Sequence, residues 1–172
     1  MVEEIYVEKI REILRNKKLI EKDLNLKLTN RGKNFFVKGK VENEYLGIKV
    51  FEAVNHGFSV EEALDLKQEG IIFQTINIKD LTKRTDLERV RGRIIGTRGK
   101  TLNTLKKLTG CNIALSDNHI GIIGSALAIE DAVQALTSLV QGSKQGNVYA
   151  RLERHKKEKL EEPGIGDIEE VE

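Results

Sequence analysis

The residues with the clearest chemical potential are Gly96-Thr97-Arg98-Gly99, a glycine-containing segment inside a strongly basic stretch. Between Lys83 and Lys107 nine residues are basic, and only Asp86 and Glu88 are acidic. The whole chain carries a net charge of only +2, so the excess is local. Glycine adopts positive φ without steric cost and allows a sugar–phosphate backbone to approach the main chain closely. The pattern therefore predicts an anion-binding loop.

Helices are predicted on both sides of this loop. Apolar residues recur there at helical spacing, namely Leu87, Val90 and Ile94 before it and Leu102, Leu105 and Leu108 after it. The loop thus leads into a helix N-terminus, where free N–H groups and the helix dipole favour an anion. Arg98 and Lys100 add positive charge, and Ile94 and Ile95 offer apolar surface for unstacked bases. This combination is typical of single-stranded nucleic-acid binding.

Simpler interpretations and other chemistries stand beside this one. Gly96 and Gly99 can serve only as a tight turn between helices, and the basic residues can form an ordinary solvated face. Walker A and dinucleotide-binding loops are excluded, because each needs a glycine at the position of Ile94. No nucleophile–base arrangement is recognisable, and His56 and His119, like His155, show no metal-ligand spacing. We therefore predict a binding protein that is not an enzyme and needs no metal or cofactor.

The elements around the loop predict an α+β fold. A strand is expected from Phe73 to Leu81, and after the two helices come strands over 111–115 and 120–123, joined by a turn at Asp117-Asn118. A last helix covers 129–140, with Glu130 and Asp131 near its favourable N-terminal end. The order is strand, helix, helix, strand, strand, helix, which suits a three-stranded sheet with helices on one face.

The first half of the chain matches this order at an offset of about 85 residues. Phe35-Phe36-Val37 then falls on Ile120-Gly121-Ile122, strand on strand. Nearer the loop the offset falls to 81, which places Arg15-Asn16-Lys17-Lys18 where the glycine loop stands in the second half. We predict a degenerate unit over 1–70, a complete unit over 71–146, a basic helix over 147–160 and an acidic, disordered tail over 161–172. Only the start of the basic helix, at Val148, Tyr149 and Leu152, is expected to dock on the second unit.

The segment Ile94-Ile95-Gly96-Thr97-Arg98-Gly99-Lys100 resembles the I-G-x-x-G signature of KH domains. Together with Arg89–Gly96, Gly142-Ser143 and Val148–Arg154, it is similar to archaeal relatives of the partner-of-Nob ribosome-assembly factor, a two-KH protein of eukaryotic-type topology. The resemblance implies binding of single-stranded RNA at the 3′ region of small-subunit ribosomal RNA. It also implies a Nob-type endonuclease or a pre-ribosomal particle as partner.

The resemblance further assigns roles to individual residues. It implies a backbone clamp at Gly96, Thr97, Arg98 and Gly99, a base groove at Ile94, Ile95 and Ile113, and phosphate contacts at Arg91, Arg93 and Lys100. The first unit departs from the family pattern because it lacks the glycines. A packing or protein-contact role therefore suits that unit better than RNA binding. An alternative function follows, a protein–protein adaptor that recruits a nuclease or a translation initiation factor, with RNA contact secondary.

Composition limits the setting of the protein. A single cysteine, Cys111, excludes an internal disulfide and favours a reducing compartment. No stretch approaches the roughly 20 apolar residues that span a bilayer, and the acidic start is unlike a signal peptide. We expect a soluble, cytoplasmic protein with no membrane partner.

Overall fold

The computed structural model describes residues 2–161, which form an α+β fold as predicted. The first half contains, in order, β1 (Glu3–Tyr6), α1 (Ile10–Arg15), α2 (Lys17–Leu24), β2 (Lys27–Arg31), β3 (Asn34–Lys38), α3 (Val41–Asn55), α4 (Val60–Leu64) and a 3₁₀ turn at Asp65–Lys67. The second half contains β4 (Ile71–Asn77), α5 (Ile78–Leu81), α6 (Leu87–Ile95), a 3₁₀ turn at Thr97–Gly99, α7 (Lys100–Thr109), β5 (Asn112–Ser116), β6 (His119–Ser125), α8 (Ala126–Val140) and α9 (Gln145–Glu161).

Each half builds a three-stranded antiparallel sheet of the same strand order. The first sheet runs β1-β3-β2 and the second runs β4-β6-β5. The registers also agree, since Leu28 pairs with Val37 in the first sheet and Ile113 pairs with Ile122 in the second. Both residues of the second pair lie 85 positions beyond their counterparts. Residues that the sequence comparison aligns at an offset of 85 therefore also occupy equivalent paired positions in the two sheets.

Two predicted details of the second half need correction. The strand predicted to reach Leu81 ends at Asn77, because the Asn77 side chain accepts a hydrogen bond from the Lys79 N–H (3.0 Å) and starts α5. Ile78, expected on the strand, is instead fully buried in this short helix. Asp131 lies in the second turn of α8 rather than beside its N-cap. That cap is Ser125, which accepts a hydrogen bond from the Ala128 N–H (3.2 Å).

The two halves have separate apolar cores, and the halves pack against each other. Ile123 of β6 points away from its own core and belongs to the core of the first half. Phe58, which precedes α4, meets Phe73 of β4 edge-on, with 6.0 Å between ring centroids. Asn112 of β5 donates a hydrogen bond to the Asp65 carboxylate (3.1 Å). The second sheet is thus covered on both faces, by its own helices on one side and by the first half of the chain on the other.

The C-terminal basic helix is longer and more closely docked than predicted. It begins at Gln145, and its Val148 and Leu152 are buried as expected. Docking continues past these turns, because Asp131 of α8 accepts a hydrogen bond from Lys159 (2.6 Å) and lies 3.3 Å from His155 Nδ1. Glu161, assigned to the tail, is the last residue of α9. The rest of the predicted acidic tail lies outside the described residues.

Candidate nucleic-acid interface

The glycine loop joins α6 to α7 through three residues with positive φ. Gly96 has φ 75° and ψ 176°, a combination that only glycine adopts without strain. Gly99 has φ 73° and caps the start of α7. Arg98 between them has φ 55°, one of three described non-glycine residues with positive φ. The turn leaves Thr97, Arg98 and Lys100 exposed.

A buried threonine supports the loop from below. A Cβ atom on Gly96 would lie 2.2 Å from Thr101 Oγ1 and 2.8 Å from the Thr101 backbone nitrogen, so only glycine fits there. Thr101 is 3% exposed, and its hydroxyl accepts a hydrogen bond from the Gln145 side-chain amide (3.0 Å). Neither residue was among the predicted site residues. The sequence contained one sign that Thr101 is buried: it precedes Leu105 by one helical turn, so both side chains face the core.

The start of α7 is suited to an anion. No side chain caps the helix, because the N-cap position is Gly99. The Lys100 N–H donates to the Thr97 carbonyl, and the first turn has no capping side chain at its N-cap. The helix dipole adds partial positive charge at this point. The loop thus brings the start of a helix and the exposed Arg98 and Lys100 together in one small area.

The surrounding positive charge is largely unneutralised. Nine basic residues lie between Lys83 and Lys107. Within residues 2–161, one of these nine, Arg84, forms a salt bridge, and its partner is Asp86 (3.1 Å). The hydrogen bond from Arg84 holds the pKa of the Asp86 carboxyl below its ordinary value, so this acid stays charged and paired. The exposed basic residues of the stretch that can meet an external polyanion are Lys83, Arg89, Arg98, Lys100 and Lys107.

The two arginines of α6 already bind elements of their own chain. Arg91 donates a hydrogen bond to the side-chain oxygen of Asn118 in the β5–β6 turn (3.2 Å). Arg93 donates to the backbone carbonyl of Ser143, just before α9 (2.9 Å). Both guanidinium groups are half-buried and point in different directions, as expected for residues two apart on a helix. Their contacts with phosphate stay a prediction.

The three isoleucines assigned to a base groove have different environments. Ile94 is fully buried and Ile113 is 2% exposed, and both belong to the core of the second half. Their side chains are therefore inaccessible to a ligand in this conformation, and their role in a base groove stays a prediction. Ile95 is 37% exposed beside the loop. It is the one member of this trio that presents apolar surface to a ligand.

The three histidines do not form a metal site. His56 is the C-cap residue of α3, and its ring centroid lies 6.2 Å from that of His119 in β6. Burial, with the nearby His119, lowers the pKa of His56. His155 contacts Asp131 instead. Within residues 2–161 no group of three or more histidine, cysteine or acidic side chains is placed to hold a metal ion. The same residues include no helix with the length and apolarity needed to cross a membrane.

Comparison with known proteins supplies the family. Residues 72–157 match the model of the second PNO1 KH domain, described as a eukaryotic type (type I) KH domain. The chain belongs to the PNO1 family of KH proteins. The match begins in β4, contains the glycine loop and extends through most of α9.

Curated relatives come from archaea and eukaryotes. A KH domain-containing protein of Methanocaldococcus jannaschii is 28% identical over 153 residues, which cover 81% of this chain and 65% of that protein. The pre-rRNA-processing protein PNO1 of Candida albicans is 36% identical over 109 residues, 62% of this chain and 40% of that protein. The chain therefore spans less than two thirds of the length of either relative.

Solved structures with the same fold come from Pyrococcus horikoshii. Dim2p of this organism superposes with a TM-score of 0.78 at 30% identity, covering 90% of this chain and 99% of Dim2p. A second structure, a complex of a/eIF2alpha, aDim2p and rRNA, contains a chain that matches with a TM-score of 0.80, again at 30% identity. That match covers 92% of the present chain and 95% of the solved one.

Proposed function

We propose that this protein binds single-stranded RNA during assembly of the small ribosomal subunit, with no catalytic step of its own. The observation that carries the proposal is the loop at 96–99, which places exposed Arg98 and Lys100 beside the start of α7, where no side chain caps the helix. Its position inside a matched PNO1-type KH domain supports RNA as the anion. The rRNA in the complex of the Pyrococcus neighbour supports ribosomal RNA, and the 3′ region of the small-subunit RNA is the target implied by the family.

Roles within the site follow from exposure. Arg98 and Lys100 contact phosphates, the loop backbone holds the chain, and Ile95 offers a surface for a base. Arg91 and Arg93 brace α6 against neighbouring segments through their bonds to Asn118 and Ser143. A phosphate can still reach the remaining guanidinium donors of these two arginines.

The domain organisation is part of the same proposal. Residues 1–70 form a first KH-like unit, 71–146 form the RNA-binding unit, and α9 completes the second unit. Three observations support the duplication: the common strand order, the registers offset by 85 residues, and the left-handed residues Asn25 and Gly110 that end α2 and α7 at that same offset.

The first unit has no counterpart of the glycine loop. Asn16 alone joins α1 to α2, while Lys17 and Lys18, which were expected in the loop, are helical. Asn16 has φ −107°, so no left-handed turn exists there. Loop-type phosphate binding therefore belongs to the second unit.

An adaptor function is the second candidate, because the first unit is positioned as a packing element. Its α3–α4 region covers the second sheet, and a/eIF2alpha accompanies aDim2p in the Pyrococcus complex. In this alternative the first unit recruits a Nob-type endonuclease or an initiation factor, and RNA contact is secondary.

The experiment is a titration of fluorescent single-stranded RNA at several salt concentrations. We expect steep salt dependence, and an Arg98→Asp, Lys100→Asp variant should bind more weakly with a smaller slope. Lys22→Asp, Lys40→Asp, which removes two exposed lysines of the first unit, is the matched control for net charge. An equal loss of RNA affinity in both variants would show that the effect comes from the change in net charge and not from the loop. Unchanged affinity in the loop variant would refute the loop assignment and favour the adaptor.

A further inference from the structure

The two sheets differ at one face, although they share topology and register. In the second sheet the face opposite the helices carries Gly121, Ala114 and Ile123, and the first half of the protein covers it. Counterparts 85 positions earlier in the first sheet are Phe36, Thr29 and Lys38. At these three positions, small or aliphatic residues of the second sheet thus correspond to an aromatic ring, a hydroxyl group and a cation in the first sheet.

This face of the first sheet is open to solvent. Strand alternation turns Ile5, Leu28, Phe35 and Val37 toward the core, and their neighbours therefore point outward. The outward residues that form what we call the open face are Glu4, Tyr6, Lys27, Thr29, Arg31, Asn34, Phe36 and Lys38. Seven of these are exposed, and Phe36 on the central strand is half-buried.

Two aromatic rings lie on the open face within reach of the same ligand. Tyr6 pairs with Asn34 across β1 and β3, and Phe36 is two positions along β3, so the rings are diagonal neighbours. Tyr6 is 52% exposed and its ring lies 5.8 Å from the Lys33 ammonium. Phe36 lines a depression together with Val2, Thr29 and Arg31. Exposed aromatic rings on a sheet are the usual stacking surface for unpaired bases.

The charge of the open face decides between partners. The open face carries three cations, Lys27, Arg31 and Lys38, against a single acid, Glu4. Lys33 in the β2–β3 turn lies 4.0 Å from the Glu8 carboxylate and therefore adds no net charge. The corresponding face of the second sheet, which docks on the first half, carries Phe73, Ala114, Gly121 and Ile123 among neutral polar residues and has no lysine or arginine. Cations around two aromatic rings instead match a strand of negatively charged phosphates with unstacked bases.

We propose that the open face of the first sheet is a second binding surface for single-stranded nucleic acid, separate from the glycine loop. Bases stack on Tyr6 and Phe36, while Lys27, Arg31 and Lys38 contact phosphates. The first unit has thus lost the loop but retains a nucleic-acid surface on its opposite side. The inference does not depend on the loop, because no residue is shared between the two surfaces.

The test uses the full chain carrying Arg98→Asp, Lys100→Asp, so that the loop contributes little. A fluorescein-labelled 12-nucleotide oligouridine is titrated at low and at moderate salt, with a duplex of equal length for comparison. We expect residual, salt-dependent binding of the single strand. Adding Tyr6→Ala should weaken it about tenfold, because one stacked base contributes about that factor.

Tyr45→Ala is the matched control. Tyr45 is 66% exposed and lies under Lys49 at 5.7 Å, like Tyr6 under Lys33, but it is on α3 rather than on the sheet. Residual binding should survive this change and disappear in Lys27→Glu, Arg31→Glu. Equal urea midpoints of all variants exclude unfolding as the cause.

Two results would overturn the proposal. The first is the absence of any single-strand binding by the loop variant at low salt. The second is residual binding that Tyr6→Ala and Tyr45→Ala leave equally strong, which would make the open face a protein-docking or simply solvated surface. Failure of the loop proposal looks different, because the loop variant with an intact open face would then bind as tightly as the unaltered protein.

Discussion

Replacing Gly96 by alanine should destabilise the second half strongly. The new Cβ would lie 2.2 Å from Thr101 Oγ1, 2.7 Å from Thr101 Cβ and 2.8 Å from its backbone nitrogen. Thr101 cannot move aside freely, because it is buried and holds the Gln145 amide. The backbone conformation at Gly96 adds strain of about 1–3 kcal/mol for any other residue. Overpacking typically costs about 1–3 kcal/mol more, for a total of about 2–6 kcal/mol.

Gly92 is the matched control within the same helix. It lies in the interior of α6, and a Cβ there meets no heavy atom within 4 Å. Gly92→Ala should therefore stabilise the protein by about 0.5–1 kcal/mol through helix propensity. The assay is urea unfolding followed by circular dichroism, comparing midpoints at constant slope.

A third variant separates the clash from the strain. Thr101→Ala removes Oγ1, the nearest atom at 2.2 Å, but keeps the Thr101 Cβ and backbone nitrogen, so Gly96→Ala should cost less in that background without becoming neutral. Equal costs in both backgrounds would show that the Thr101 hydroxyl does not confine the loop. Gly96→Ala with a midpoint as high as that of Gly92→Ala would refute both parts of the reasoning.

Two other changes test the contact between the halves. Burial and the nearby His119 lower the pKa of His56, and together they outweigh Glu52, which raises it. The contribution of His56 to folding stability should therefore be complete above about pH 6.5. It should decline below that pH, because the unfolded chain takes up the proton more readily than the folded protein. Urea midpoints from pH 8 to 5 should show this decline, and His56→Phe should reduce it. Gly121→Ala places a Cβ 2.8 Å from Phe58 and 3.2 Å from Phe73, which should cost about 1–3 kcal/mol and increase hydrogen exchange in β6; unchanged exchange would contradict tight packing between the halves.

Local patterns were sufficient to predict most elements of the second half. The predicted helices correspond to α6 and α7, and Gly110, which has φ 71°, ends α7 as its C-cap. The Asp117-Asn118 turn is also confirmed, with φ 49° at Asp117. These features depend on residues within a few positions of each other, which is why apolar spacing and turn residues reveal them.

Features that depend on distant residues could not be predicted in this way. The bond between Gln145 and Thr101 joins residues 44 positions apart, and neither type is distinctive at its position. Ile94 and Ile95 are adjacent and chemically identical, yet one is buried and the other is 37% exposed. Helical spacing identifies an apolar side but does not separate a groove from a core. The second layer over β4-β6-β5 was missed because it comes from the other half of the chain.

The segment before α9 braces both helices that flank the glycine loop. Arg93 of α6 donates to the Ser143 carbonyl, and Thr101 of α7 accepts from Gln145. The helix that follows, α9, is held in turn by the buried Val148 and by Asp131 of α8. Burial raises the pKa of the Asp131 carboxyl, but the hydrogen bonds from Lys159 and His155 lower it, and the net shift is downward.

A domain ending at residue 146 would therefore keep the loop and lose its support. Val148 and Leu152 belong to the core of the second half, so removing them would expose this core to solvent. The side of α8 that carries Asp131 would also become exposed, because α9 packs against it. Without the rest of α9, Gln145 would also lack the helix that positions its amide against Thr101. The structural unit that presents the loop thus extends through α9. The geometry at Gly96 is a property of this larger unit and not of the four loop residues alone.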